Sequence, residues 1–186
     1  MCVFALSHLR ALCLELSRCD MAYFCNESED IIGLDLFDYE AVDIVCDATR
    51  LPFESDSVDF IYSCHMLEHL YVDQAIALLH ECKRVLSPKG YMRLVLPDFD
   101  YIYPLLKGEA RSIFPRKFAS ASGQAINHLF CDGQHRYAYN AELIEEIAGA
   151  AGFSEVRRMP VEAVDPNLAG FDLSEPGGSF CTNLYK

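Results

Sequence analysis

The feature that most narrows the fold is a change of hydrophobic period between residues 58 and 96. Val58-Asp59-Phe60-Ile61-Tyr62-Ser63 is a short, nearly continuous apolar run, the pattern of a buried strand. Across residues 72–86 the apolar positions are Val72, Ala75, Ile76, Leu78, Leu79, Cys82, Val85 and Leu86, the spacing of a helix with one buried face. Asp73 stands in its first turn and Lys83 and Arg84 in its last, as the helix dipole prefers. Ser87-Pro88-Lys89-Gly90 ends it. Tyr91-Met92-Arg93-Leu94-Val95-Leu96 is a second strand, closed by Pro97. Strand, helix, strand at this spacing is a βαβ unit with a right-handed crossover. Strands that are apolar nearly throughout predict a mostly parallel sheet covered on both faces, so the expected class is α/β with three layers.

The flanking sequence extends the pattern. Residues 31–36 and 42–47 read as two more strands, and the turn-rich residues 51–57 as a loop. Residues 98–139 are interrupted by Pro104, Gly108, Pro115 and Gly123, which predicts short helices and loops, an insertion that could serve as a lid. Residues 141–151 read as a helix capped by Asn140 and ended by Gly152. Residues 154–160 and 179–185 read as two final strands, joined by a loop rich in Pro, Gly and Asp. The 186 residues show no repeat or low-complexity segment, so a single domain over 1–186 is expected.

Composition limits the partners. A net charge of -13 repels phosphate backbones, so no nucleic-acid partner is expected and a small molecule fits better. The nine cysteines form no CxxC pair, which fits buried thiols in a reducing, cytoplasmic setting. No stretch of 18 residues is apolar and uncharged, and residues 1–16 hold His8, Arg10 and Glu15, so neither a membrane span nor a signal peptide is expected.

In a parallel sheet, ligands bind beyond the carboxyl ends of the strands. Asp35 ends one strand, and its two carboxylate oxygens can accept both hydroxyls of a ribose. Asp47 ends the next and is followed by Ala48. A carboxylate there can take the exocyclic amine of adenine while a nearby backbone N–H meets a ring nitrogen. Either aspartate could instead be a turn former or helix cap.

The run Asp47-Ala48-Thr49-Arg50-Leu51-Pro52-Phe53, then residues 56–63, then His65-Met66-Leu67-Glu68-His69-Leu70, resembles the middle of class I S-adenosylmethionine-dependent methyltransferases. Arg84-Val85-Leu86-Ser87-Pro88-Lys89-Gly90, a strand ending in Pro97-Asp98, and Ala150-Ala151-Gly152-Phe153-Ser154-Glu155-Val156 are similar to that family's later motifs. The likeness is greatest to small bacterial members and covers roughly residues 31–186. It implies a Rossmann-like sandwich with a seven-stranded sheet whose last strand is antiparallel. It implies S-adenosylmethionine as cofactor, with Asp35 on the ribose, Asp47 and Ala48 at the adenine, and Ser63 and His65 beside the methionine part. The implied activity is methyl transfer to a small molecule or glycan precursor. The alternative is a non-catalytic binding or regulatory module on the same fold. No catalytic base is assigned.

One departure stands out. The family opens with a glycine-rich turn that lets the backbone approach the cofactor. Here Leu14-Glu15-Leu16-Ser17-Arg18-Cys19-Asp20 holds no glycine. Three accounts stay open: a degenerate site, a loop that binds in a modified way, or an altered N-terminus in which residues 1–25 fold as a helix and the first strand is degraded.

His65-Met66-Leu67-Glu68-His69 also spells H-x-x-E-H, a zinc-peptidase pattern that needs both histidines on one helix face and a further ligand downstream. Because the motif follows a strand directly, and the methyltransferase pattern accounts for the same letters, no metal is expected. His69 is read either as a residue packed against a loop or as part of a substrate mouth. Residues 127–139 are dense in polar and aromatic groups, and His128 and His135 are candidate substrate contacts there.

Overall fold

The computed structural model describes residues 9–14, 31–38, 42–112, 114, 117–161, 163, 165–168 and 178–186. Among these, seven strands form one sheet: β1 (Leu9–Leu14), β2 (Ile31–Asp35), β3 (Ile44–Val45), β4 (Val58–Cys64), β5 (Leu86–Pro97), β6 (Glu155–Met159) and β7 (Ser179–Tyr185). Their order across the sheet is β3-β2-β1-β4-β5-β7-β6. Strands β1 to β5 run parallel, and β7 runs antiparallel to both neighbours, β5 and β6. The chain builds outward from β1 to β3, then returns to build the other half from β4, so the order reverses between β1 and β4. Four helices accompany the sheet: α1 (Val72–Val85), α2 (Ile102–Lys107), α3 (Ala121–Phe130) and α4 (Ala141–Ala150).

Two helices cover one face for the reason their sequences suggest. Ala75, Leu78, Leu79, Cys82 and Val85 recur along one side of α1 and are buried, as are Ile144, Ile147 and Ala148 of α4. They close over Leu34, Ile61, Met92, Leu94, Leu96 and Leu184. The alternate residues Phe60, Tyr62, Cys64, Val95 and Cys181 form a second cluster on the opposite face. Asn140 caps α4, its Oδ1 accepting from the Leu143 N–H at 3.0 Å.

Three expectations need correction. Residues 9–14 are not helical: they form β1, the strand between β2 and β4, which removes the helix account for that stretch. The glycine-free turn itself lies outside the described residues. The strand expected over 42–47 shrinks to Ile44–Val45. Its flanks are spent in loop bonds, with the Gly33 N–H donating to Asp43 Oδ2 at 2.7 Å and the Cys46 N–H to the Asp35 carbonyl at 2.8 Å. Finally, the helix ends as expected, but the strand expected to start at Tyr91 already begins at Leu86, so residues 87–90 belong to β5. Leu86 pairs with Val58, the register then shifts, and a Cβ at Gly90 would meet the Asp59 carbonyl at 2.9 Å.

Gly178 opens β7 under two constraints. Its φ is +91°, and a Cβ there would sit 2.6 Å from the Tyr101 ring. Its carbonyl accepts from the Asp98 N–H at 2.8 Å. Gly178→Ala is expected to destabilise the fold by about 2–3 kcal/mol, combining left-handed strain with overpacking. Urea unfolding checks this, and an unchanged midpoint would refute it.

Candidate cofactor and acceptor site

The sheet register places the predicted strand-end residues along one edge. Leu34 lies level with Leu14, and Leu14 with Ser63, while Asp35 lies level with Val45. The carboxyl ends of β3, β2, β1 and β4 therefore line up, with Asp35 and Ser63 one strand to either side of β1. Neighbouring strands lie about 4.8 Å apart, so these two backbones are roughly 10 Å from each other. Asp35 is one register step beyond the level of Ser63, and the two side chains leave the sheet on opposite faces. A ligand can meet both only by lying across the edge of the sheet.

Asp35 is 2% exposed. Its Oδ1 accepts from the Phe37 N–H at 2.8 Å. Burial raises its pKa, and backbone N–H groups of Phe37 and Leu36 oppose that rise. A buried carboxylate at a strand tip gains from partners that donate to it, as ribose hydroxyls would. Ser63 is fully buried, and its Oγ has no hydrogen-bond partner among the described residues. Asp47 is different. It is exposed, and its Oδ1 is engaged by Thr49, through the N–H at 2.9 Å and the hydroxyl at 2.7 Å. Those bonds hold its pKa below the usual carboxylate value. Ala48 beside it is half-buried against the core. Asp47 is thus a turn former first, and Asp47→Ala is expected to cost cofactor affinity no more than about 1–2 kcal/mol, less than the loss of a buried charged partner. Calorimetric titration with S-adenosylhomocysteine measures this, and a loss larger than that of Asp35→Ala would reverse the ranking.

Beyond β4 the chain turns sharply. His65 has φ +49°, a left-handed conformation that histidine rarely adopts. It is held by its N–H to the Val95 carbonyl at 2.9 Å and by Nε2 with Ser179 Oγ at 3.0 Å. A single helical turn, Leu67–His69, follows. Glu68 points inward at 1% exposure, and neither carboxylate oxygen has a hydrogen-bond partner among the described residues. Its Oε1 lies 3.6 Å from His65 Nδ1 and 3.9 Å from His135 Nε2. Burial pushes the Glu68 pKa up to about 8. Burial first, then neighbouring histidines, pushes His65 and His135 down to about 4.

Two of the three candidate substrate-side histidines, His69 and His135, meet around this turn. His69 and His135 stand edge to face with ring centres 5.2 Å apart. His69 Nδ1 lies 3.1 Å from the Gln134 carbonyl, and His135 Nδ1 lies 2.9 Å from the Leu129 carbonyl. His128 is buried, with Nδ1 at 3.2 Å from Ser112 Oγ and its ring against Tyr101 and Phe114. The Glu68 carbonyl accepts from both the Arg136 and Tyr137 N–H groups, at 2.7 and 3.2 Å, which ties the 131–139 segment to the turn. Next to it opens a cleft of about 460 Å³ lined by Phe99, Leu129, Phe130, His135, Arg136 and Tyr137, among others.

A buried strand-tip carboxylate and a buried hydroxyl without a hydrogen-bond partner among the described residues thus flank the central strand β1. The model of the family described as "Methyltransferase domain" matches residues 7–94. No curated protein matches the chain significantly. Among solved structures, a SAM-dependent methyltransferase from Archaeoglobus fulgidus superposes with TM-score 0.64 at 16% identity, covering 96% of this chain and 86% of its own. An S-adenosylmethionine-dependent methyltransferase from Mesorhizobium loti gives 0.58 at 18% identity, covering 97% and 92%. The 1,6-didemethyltoxoflavin-N1-methyltransferase of Burkholderia thailandensis, solved with that compound and S-adenosylhomocysteine, gives 0.50 at 14% identity, covering 96% and 72%. These likenesses establish the methyltransferase fold, and S-adenosylmethionine is the cofactor of this class. Asp35 and Ser63 suit that group chemically, the first as a carboxylate acceptor and the second as an unspent hydroxyl. Among the described residues no helix is long and apolar enough to cross a membrane.

The structure brings Asp35, Asp47, Ala48 and Ser63 to one sheet edge, and His65, His69 and His135 to the turn beyond β4, with His128 one layer behind. Sequence reasoning passed over Glu68. Its signal was present as the acid of the H-x-x-E-H letters, but only burial distinguishes it from a solvated glutamate.

Proposed function

We propose that this methyltransferase domain holds S-adenosylmethionine along the β3-β2-β1-β4 edge and transfers its methyl group to a small, largely apolar or aromatic acceptor in the cleft at His135. When bound, that cofactor supplies a methyl group activated on a sulfonium. Asp35 receives the ribose hydroxyls, and Asp47 with Ala48 borders the adenine. Ser63 and the strained backbone at His65 border the methionine end. The apolar walls Phe99, Leu129, Phe130 and Tyr137 exclude water from the acceptor, and Arg136 and Asn140 give it polar handles. Alignment of donor and acceptor supplies most of the catalysis in such an in-line transfer. An apolar lining favours a flat or hydrocarbon-rich acceptor over a glycan precursor.

The observation that carries this reading is the buried carboxylate of Asp35 at the tip of β2, two strands from the unspent Ser63 hydroxyl. A second reading, a binding or regulatory module without catalysis, draws on the glycine-free sequence at residues 14–20. Calorimetry with S-adenosylmethionine and S-adenosylhomocysteine separates the two. Binding is expected, and no heat at millimolar ligand would overturn the enzyme reading. Isotope-labelled methyl donor with a panel of aromatic and sugar acceptors then tests the acceptor class by mass spectrometry.

A further inference from the structure

We propose that Glu68, His69 and His135 form a binding site for a divalent transition-metal ion of the zinc type. Each offers one ligand atom, and the three atoms lie within 4.8 Å of one another. Ligand atoms about 2.0–2.2 Å from one tetrahedral ion sit roughly 3.3–3.5 Å from each other, so side-chain adjustments of about 1 Å close the set.

Two independent observations point to an ion. The first is the carboxylate. Glu68 is almost wholly buried, neither oxygen has a hydrogen-bond partner among the described residues, and Oε1 faces His135 Nε2 at 3.9 Å. A buried carboxylate left without donors is costly, and a cation is the partner that removes the cost. The second is the setting of the imidazoles. Metal-bound histidines use one ring nitrogen on the ion and give the other N–H to an outer acceptor. His135 does this: its Nδ1 is tied to the Leu129 carbonyl, which fixes the tautomer with an Nε2 lone pair turned to Glu68. His69 Nδ1 contacts the Gln134 carbonyl, and its ring also bonds to the His65 backbone, a contact that an ion would have to share or displace.

The sequence reading set the zinc pattern aside because its letters follow a strand and need a downstream ligand. In the fold, the downstream ligand is His135, and the single turn Leu67–His69 replaces the peptidase helix. One carboxylate and two imidazoles are ligands of borderline softness. They suit zinc, iron(II) or cobalt(II) far better than magnesium, which prefers an all-oxygen octahedron. Three protein ligands also leave a coordination position open. A small void of about 10 Å³ touches Glu68 and His135, and His135 and Tyr137 also line the acceptor cleft. The site needs only these side chains and stands whether or not the domain transfers methyl groups.

The test uses the full chain, stripped with chelator and titrated with Zn²⁺ by calorimetry and with Co²⁺ by absorption. One equivalent is expected, with a cobalt spectrum free of the intense near-ultraviolet band that thiolate ligands give. Glu68→Gln and His135→Ala are each expected to weaken binding at least 100-fold, and millimolar Mg²⁺ should not compete. The nine cysteines make the spectrum decisive. A thiolate band on the wild-type protein, no binding at all, or affinity unchanged in both variants would overturn the site. Should one variant fail to fold by circular dichroism, the other and the wild-type cobalt spectrum still decide.

Discussion

Asp35→Ala is expected to raise the dissociation constant for S-adenosylhomocysteine about 10- to 150-fold, the equivalent of losing about 1.5–3 kcal/mol of charge-assisted hydrogen bonding. The size follows from burial. A carboxylate at 2% exposure bonds in a low-dielectric setting and has little water to fall back on. Asp35→Asn should fall between, because the amide oxygen can still accept from the Phe37 N–H and from one hydroxyl while the charge is gone. Calorimetry on the three proteins, with thermal unfolding to show that each retains its fold, gives the ordering. Equal affinities across the series would remove Asp35 from the site, whatever the fate of Asp47.

The second large effect is on stability and has a definite sign. Glu68 titrates at about 8 in the folded chain against an ordinary value of 4.5. Between those values the unfolded chain has released the proton and the folded chain still holds it. Raising the pH therefore favours unfolding throughout that window, and the contribution, complete below about 4.5, is gone above about 8. Metal-free Glu68→Gln protein lacks this loss. It should be more stable than the wild type at pH 8.5 by on the order of 2–4 kcal/mol and by less than about 1 kcal/mol at pH 5. His65 and His135 act in the opposite sense. Held neutral down to about 4, they withdraw stability as the pH falls from the ordinary histidine value of 6.5. That acid limb is common to both proteins and cancels in the difference. Urea unfolding with chelator at the two pH values measures it, and parallel curves would show that Glu68 is ionised throughout.

Much of the frame could be read from the chain alone because its code is local. The buried stripe of α1 is written at helical spacing, and Asn140 and Gly152 mark the two ends of α4. The place of Asp35 at a strand tip was legible as well, since the apolar run ends in that acid. The bonds of Asp47 to Thr49 were not legible, because they depend on a turn that apolar pattern does not encode. The shortness of β3 comes from loop bonds that its flanks make to β2, a pairing that apolar pattern does not encode. Glu68 was illegible for a further reason. Its surroundings come from β4, β7 and the 128–137 segment, so its solvent-free environment exists only once those distant pieces have met.

The bond pair at the Glu68 carbonyl has a practical consequence for redesign. Because Arg136 and Tyr137 both hang from that one oxygen, the wall of the cleft at His135 is stitched to the turn after β4. Grafting residues 131–139 from a relative to alter acceptor preference should fail when moved alone. The transplantable piece is the stitched pair, residues 65–69 together with 131–139.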